Sequence, residues 1–319
     1  NNYHMNTKNL AVLLAIFSGF VLFGLTIGCS KNSNPLPPVH DTTTVFKHDT
    51  TRLTDTVVQK LDTPDLKTGL VIYLPLNGSM ADSSGLNNPV TAVNGASLGY
   101  DMHGYAQSAL MDNGNGQYLQ VPNNGSYTLD TAFSISLDFM IRTAPAWNGV
   151  GVPGLESLVS FVNTANGYGP TFHVVLGPTN EPQYLYLGVE NSTNTCSNYG
   201  SLAATLFDTT SFAPQVGAWY NCIITFTSGT VKVYVNGILN SSATAAFQHV
   251  SFCPGASFVV GGWWSGDPES INGEIDEVRL YNRTLNAKQI SWLSRNFQAN
   301  SISTKQTTVP GTGKGVRLN

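Results

Sequence analysis

Charge is scarce in this chain: 15 Lys and Arg and 19 Asp and Glu stand among 319 residues, and the formal net charge is -4. The few cations are scattered rather than striped along one face, so no basic field exists to follow a phosphate backbone, and nucleic acid is excluded as a partner. Long segments with a helical 3.6-residue period are nearly absent, which excludes a helical bundle. What is abundant instead is punctuation. Thirty-one Gly and 16 Pro, with many Ser, Thr and Asn, break the apolar residues into short runs, and that is the pattern of an all-β sandwich or barrel. A hydrophobic content of 41% is enough to bury one large core or two small ones.

Only four cysteines are present, Cys29, Cys196, Cys222 and Cys253. Cys29 ends the one long apolar run, residues 10–28, which follows Lys8. Met5 is the expected start. A basic residue, an apolar stretch and the small or aliphatic residues Thr26, Ile27 and Gly28 before a cysteine resemble a bacterial lipoprotein signal, with Thr26 standing where Leu is usual. The resemblance implies cleavage of residues 1–28, lipid on Cys29, and anchoring at an extracytoplasmic membrane face such as the outer membrane or cell surface. An uncleaved transmembrane anchor is the alternative, since about 20 apolar residues suffice to cross a bilayer. Three cysteines then remain for an exported domain. Strand alternation in WYNCIITF, residues 219–226, puts Tyr220, Cys222, Ile224 and Phe226 on one face, so Cys222 reads as a small core residue. Cys196 and Cys253 sit in loop-like stretches and are the candidate disulfide pair.

From residue 29 to 68 the composition turns to Thr, Asp and Pro. The repeated HDTT at 40–43 and 48–51 could imitate a metal-binding array, but a β-branched polar repeat that cannot build a core reads more simply as a solvated spacer. The globular domain is expected over 69–297, and a flexible tail over 298–319. Expected strands include residues 69–76, 117–122, 133–142, 171–177, 183–190, 218–227, 231–237, 258–262 and 273–282. Asn236-Gly237 is a hairpin signal, because both central residues of a type I′ turn need positive φ. Asn286 followed by Gln289 is a capping pair for the one expected helix, with Ile290 and Leu293 as its docking residues.

Four segments, GLVIYLPLNGSMADSSGLNNP (69–89), QYLQVPNNGSYTLDTAFSISLDFMIRT (117–143), AWYNCIITFTSGTVKVYVNG (218–237) and INGEIDEVRLYNRTLNAKQI (271–290), resemble the LamG-like jelly-roll family of concanavalin A-like lectin/glucanase folds. The closing run from Gly273 to Leu285 is the most specific of them. Asn221 stands where His is common and Asn236 where Asp is, while 144–216 matches poorly. The resemblance implies two antiparallel sheets in an all-β jelly-roll sandwich, with the first and last strands close together. One activity is not implied, because this fold carries lectins, hydrolases and adhesion modules.

Glu274, Asp276 and Glu277 test the hydrolase reading. Laminarinase-type relatives carry a third acid two or three positions beyond the Asp, but Val278 and Arg279 stand there. Without a second carboxylate aimed at the sugar, neither retaining nor inverting hydrolysis has its proton donor. Glycoside hydrolysis through Glu274 is thus the remote alternative, and catalysis is not expected. Some LamG-like domains bind Ca²⁺, and Asp82 with Asp276 is the expected pair of ligands if the chain ends meet; an ordinary Asx turn at Asp82 is the simpler reading. Gly95-Ala96-Ser97-Leu98-Gly99 matches G-x-S-x-G only formally, since a loop between β segments lacks the strand-to-helix elbow of a nucleophile. Nothing in the spacing joins His103 or His173 to Ser97.

Aromatics carry the binding expectation, because sugars stack their C–H faces on rings while amides and carboxylates take the hydroxyls. Trp263 and Trp264 with Asp267, and Trp147 and Tyr168 in the divergent segment, are the candidate carbohydrate-binding residues. A glycan is the favoured partner; a surface protein or matrix partner is the alternative.

Overall fold

The computed structural model describes residues 44–45, 58–59, 63–144, 155–168, 171–177, 185–190, 205–209, 212–253, 255–265 and 269–297. Cys29, Trp147, Cys196, Asp267, the expected signal peptide and the tail lie outside the described residues. The chain divides into two compact units, Asn1–Asp62 and Thr63–Asn319. In the first, the stretch expected as plain spacer carries a short antiparallel ladder, β1 (Thr44–Val45) against β2 (Val58–Gln59).

The second unit is a two-sheet antiparallel sandwich. One sheet has seven strands in the order β12 (Thr205–Thr209), β11 (Leu185–Glu190), β10 (Phe172–Leu176), β9 (Glu156–Val162), β16 (Ser257–Val260), β7 (Tyr118–Pro122) and β4 (Thr91–Val93). The other orders β15 (Ile238–Thr244), β14 (Thr230–Val235), β13 (Trp219–Thr227), β8 (Ala132–Ile141), β17 (Asn272–Tyr281), β6 (Ala106–Asn113) and β5 (Ser97–Tyr100), and β3 (Leu70–Leu74) adds an eighth strand beside β17. First and last strands therefore pair, with Tyr73 opposite Arg279.

Alternation sets the faces. Phe133, Ile135, Leu137 and Phe139 of β8 and Cys222, Ile224 and Phe226 of β13 point into the core, where they meet Phe161, Phe172 and Phe258 from the other sheet. Phe133 lies 5.3 Å from both Phe172 and Phe226, so one ring ties the two layers. Cys222 is buried and free, as its place in the alternation predicts. Cys253 is disulfide-bonded, and since Cys222 is free its partner is outside the described residues.

Asn236 and Gly237, with φ of 51° and 78°, make the expected β14–β15 hairpin. At the C-terminal end, α1 (Ala287–Leu293) opens on a complete capping box: the Asn286 side chain accepts from the Gln289 N–H, and the Gln289 side chain accepts from the Asn286 N–H. Its apolar side, Ile290 and Leu293, packs on Ile223, Tyr281 and Leu285 on the outer face of the eight-stranded sheet. The helix is only seven residues long and could not persist alone. Asn286→Ala should cost about 1 kcal/mol of stability by orphaning these amides, readable as a shifted urea midpoint at unchanged slope. Ordered contacts also start slightly before the expected Gly69 boundary: Gln289 donates to the Asp65 carbonyl and Tyr281 to that of Leu66.

Two local expectations change. Ser97 is not in a loop: it opens β5, an edge strand paired with β6, and no helix follows it. His173 belongs to the other sheet and His103 is exposed. The last strand is not regular either. Glu277 has φ of 53° and the register slips between Asp276 and Arg279, which is a β-bulge.

Candidate functional site

The bulge falls at a seam. Along one edge of β17, residues Asn272 to Ile275 pair with β6 and Val278 to Tyr281 pair with β3, so Asp276 and Glu277 sit between the two partners. Along the other edge, Asp276 stands opposite Asp138 of β8, and Asp138 stands opposite Asn221 of β13. Their strand neighbours Ile275, Leu137 and Cys222 face the core, which turns all three polar side chains to the outer surface of the sheet. They floor a polar cleft of about 460 Å³. Its walls are the β5–β6 loop, with Asp101, His103 and Tyr105, and the end of α1 with Trp292 and Arg295. The volume lies within the ordinary range for small-ligand sites.

The floor is nearly closed to water. Asp138 is 8% exposed, Asp276 7% and Asn221 1%. The Asn221 Nδ2 donates to Asp138 Oδ1 at 2.7 Å, and the Glu277 N–H donates to Asp276 Oδ1 at 2.8 Å. Burial pushes the Asp138 carboxyl up to about 7, against the pull of the Asn221 hydrogen bond. Burial, followed by the neighbouring Glu277, pushes Asp276 up to about 8. Glu277 itself is committed elsewhere, accepting from Tyr73 Oη at 3.1 Å and pairing with Arg279. Arg279 in turn lies over the Tyr73 ring at 4.1 Å. The Arg279–Glu277 ion pair thus props the bulge, and both residues also line the cleft.

Glu274 is part of the frame, pairing with Arg142 at the end of β8. Nearby, Asp112 is fully buried, and burial pushes its carboxyl up to about 8. The acids on β17 are therefore divided among an ion pair, a bulge and a cleft floor.

Asp82 and Asp276, the expected pair of Ca²⁺ ligands, have different hydrogen-bond partners. Asp82 is a hub for its own turn: Oδ1 accepts from the Tyr73 and Ser84 N–H groups, and Oδ2 from Ser84 Oγ, the Asn88 N–H and Asn88 Nδ2. Burial alone would raise its carboxyl, yet these bonds hold it below the usual carboxylate range. Five donors satisfy its lone pairs, as the simpler Asx-turn reading has it. Among the described residues no group of three or more His, Cys, Asp or Glu is arranged to hold a metal ion.

The tryptophan pair lies on the seven-stranded sheet, away from this cleft. Trp263 is 9% exposed and stacks on His173, with ring centroids 3.9 Å apart. It packs with Tyr118, Val162 and Val259 on the outer face of the seven-stranded sheet, and Val93 and Trp264 close the same cluster. The backbone carbonyl of Gly262 accepts from Ser157 and Ser160, pinning this segment down. Burial pushes His173 down to about 3, so the ring beneath Trp263 is neutral. Trp263 covers the sheet. Trp264 and Tyr168 are each half-buried. The cleft aromatics, Tyr105 and Trp292, were not among the expected binding residues; nothing in their local sequence marks them, and only the fold brings the β5–β6 loop to α1.

Residues 113–291, more than half of the chain, match the profile of the concanavalin A-like lectin/glucanases superfamily. A comparison with curated proteins finds no match. Similar solved structures include domain 4 of AbnA, a GH43 extracellular arabinanase from Geobacillus stearothermophilus, in complex with arabinotriose (TM-score 0.52, 23% identity, 70% of this chain and 98% of that one). Others are the binding domain of Paraclostridial Mosquitocidal Protein 1 (0.54, 17%, 74% and 53%) and the ligand binding domain of botulinum neurotoxin serotype D in complex with N-acetylneuraminic acid (0.53, 12%, 72% and 51%). This chain thus spans about half the length of the two toxin domains. At such identities the likeness is one of fold. Profile, two-sheet topology and the pairing of first and last strands agree: the chain belongs to the concanavalin A-like lectin/glucanase superfamily.

Proposed function

We propose that this chain is a non-catalytic carbohydrate-binding protein, held at an extracytoplasmic membrane face by lipid on Cys29, and that the cleft above Asp138, Asn221 and Asp276 is its sugar site. The observation that carries the reading is the composition of that cleft. Hydrogen-bonding carboxyl and amide groups line its floor, and the rings of Tyr105 and Trp292 stand in its walls. A pyranose needs that combination, a flat apolar surface for its C–H face and fixed polar atoms for its hydroxyls. Tyr105 is 57% exposed, so its ring is accessible to a ligand in the cleft. Superfamily membership and the sugar complexes of two structural neighbours support the same class of ligand. The apolar run before Cys29 supports the anchor.

A glycan array probed with the purified chain, with the same wells assayed for released reducing ends, tests the reading. Binding without release is expected. Trp292→Ala and Tyr105→Ala should each weaken it about tenfold, the loss of one stacking surface. Trp264→Ala should leave it unchanged. Loss of binding on Trp264→Ala alone would move the site to the seven-stranded sheet. Retention of a protein partner with no glycan bound would favour an adhesion module.

A further inference from the structure

We infer that the cleft floor takes a protonated primary amine of its ligand, which makes amino sugars the glycan class it selects; this rests on the carbohydrate-binding reading above. The first observation is an orphan. Asn221 spends its Nδ2 on Asp138, while its buried Oδ1 accepts no hydrogen bond. A buried amide oxygen left without a donor is costly, and such atoms are rare in folded proteins. The second is that its neighbours offer acceptors too. Asp138 and Asp276 each receive their hydrogen bond at Oδ1, from Asn221 and from the Glu277 N–H. Three residues in a row across adjacent strands thus present amide and carboxyl oxygens to one cleft.

An ammonium group has three donors, no acceptor and a positive charge, which matches such a floor. A neutral hydroxyl has one donor and would leave acceptors unmet. The surrounding charges agree. On β17, Glu277 and Arg279 cancel one another, and Tyr73 of β3 donates to Glu277. Asp101 in the β5–β6 loop, beside His103 and Tyr105, adds negative charge at the rim; opposite it, Arg295 lies over the Trp292 ring at 4.6 Å. Arg279 and Arg295 favour the ionised form of Asp138, whereas Glu277, Asp138 and Asp101 all oppose ionisation of Asp276, which is left as the less compensated acid of the floor pair. Near neutrality these two carboxyls retain a proton in the empty cleft. One arriving ammonium takes the place of one carboxyl proton, which leaves to the buffer, and one carboxyl of the pair becomes ionised.

Calorimetric titration near pH 6.5, with a glucosamine oligosaccharide and its N-acetylated counterpart of the same length, tests this. The glucosamine form should bind at least about tenfold tighter. Its observed enthalpy should vary with the ionisation enthalpy of the buffer, reporting a released proton. Asp138→Asn and Asp276→Asn imitate the protonated carboxyl, so both should keep or raise Tm while abolishing the preference. Equal affinities for the two oligosaccharides, with binding on the glycan array intact, would overturn the amine assignment and leave the carbohydrate reading standing. No binding on the array at all would remove that reading itself. A lysine-rich peptide that binds where neither oligosaccharide does would overturn the amino-sugar assignment in favour of a protein ligand.

Discussion

Gly273→Ala is expected to destabilise the domain by about 3 kcal/mol or more. Gly273 sits in β17 between Ile141 on one edge and Asp112 on the other. A Cβ there would lie 2.0 Å from the Met140 carbonyl oxygen and 3.2 Å from the Ile141 Cα. Both obstacles are main chain of the neighbouring strand in the middle of the sheet. Neither can swing aside as a side chain would, so relief requires β8 and β17 to separate, and their ladder and the Glu274–Arg142 pair loosen with them. The loss should appear as a Tm lower by roughly 6 to 12 °C, or as failure to fold. Gly104→Ala is the contrast: its φ of 80° is unfavourable for alanine, but a Cβ there meets nothing within 4 Å, so about 1 to 2 kcal/mol is expected. If Gly273→Ala unfolded at the wild-type midpoint, β8 and β17 could not be as close as described.

That glycine opens the run GEIDEVRLYNRTL, and its case shows what the sequence could and could not disclose. The sandwich was legible because alternation in residues 133–142 and 218–227 needs no tertiary information. The capping box and the Asn236-Gly237 turn were legible because both are set by near neighbours. Strands β6 and β9 were not. In β6, Gln107 takes a φ of 58° and interrupts the period, and β9 is buried at nearly every position, so it lacks an alternating face. The bulge at Glu277 was invisible for a related reason. It depends on β6 and β3 sharing one edge of β17, a fact of topology with no local signature. The cleft was half legible. Period two already sends Asp138 opposite Leu137 and Asn221 opposite Cys222, but that they align with Asp276 is a matter of register between distant segments. A tryptophan in a glycine-rich loop reads equally as a ligand platform or as a cover for the sheet, and the stacking of Trp263 on His173 is a contact between distant segments that local sequence does not disclose.

Stability should fall as pH rises from about 5 to 8, with Tm lower by about 5 °C or more at the upper end. Four acids set the direction. Burial pushes Asp112 and Asp276 up to about 8, and Asp138 and Glu156 up to about 7. In the unfolded chain such groups ionise near pH 4. Between those limits the folded state binds more protons than the unfolded one, so each step up in pH favours unfolding. Their stabilising effect is complete below about pH 4 and lost as pH passes through the folded values. Asp65 and Asp82 act in the opposite sense, since their carboxyls are held low, but their contribution is lost only in acid; His173, held down to about 3 by burial, also opposes the trend up to about pH 6.5, as one group against four. Asp112 should contribute most. It is wholly buried, its Oδ2 accepts no hydrogen bond, and Glu156 opposes its charge while Arg142 only partly offsets it. Asp112→Asn removes the ionisation and keeps the shape, so its Tm should match wild type near pH 5 and exceed it near pH 8. A flat or rising Tm across this range in the wild-type protein would mean that these carboxyls reach water in the folded state, and the closed floor of the cleft would have to be redrawn.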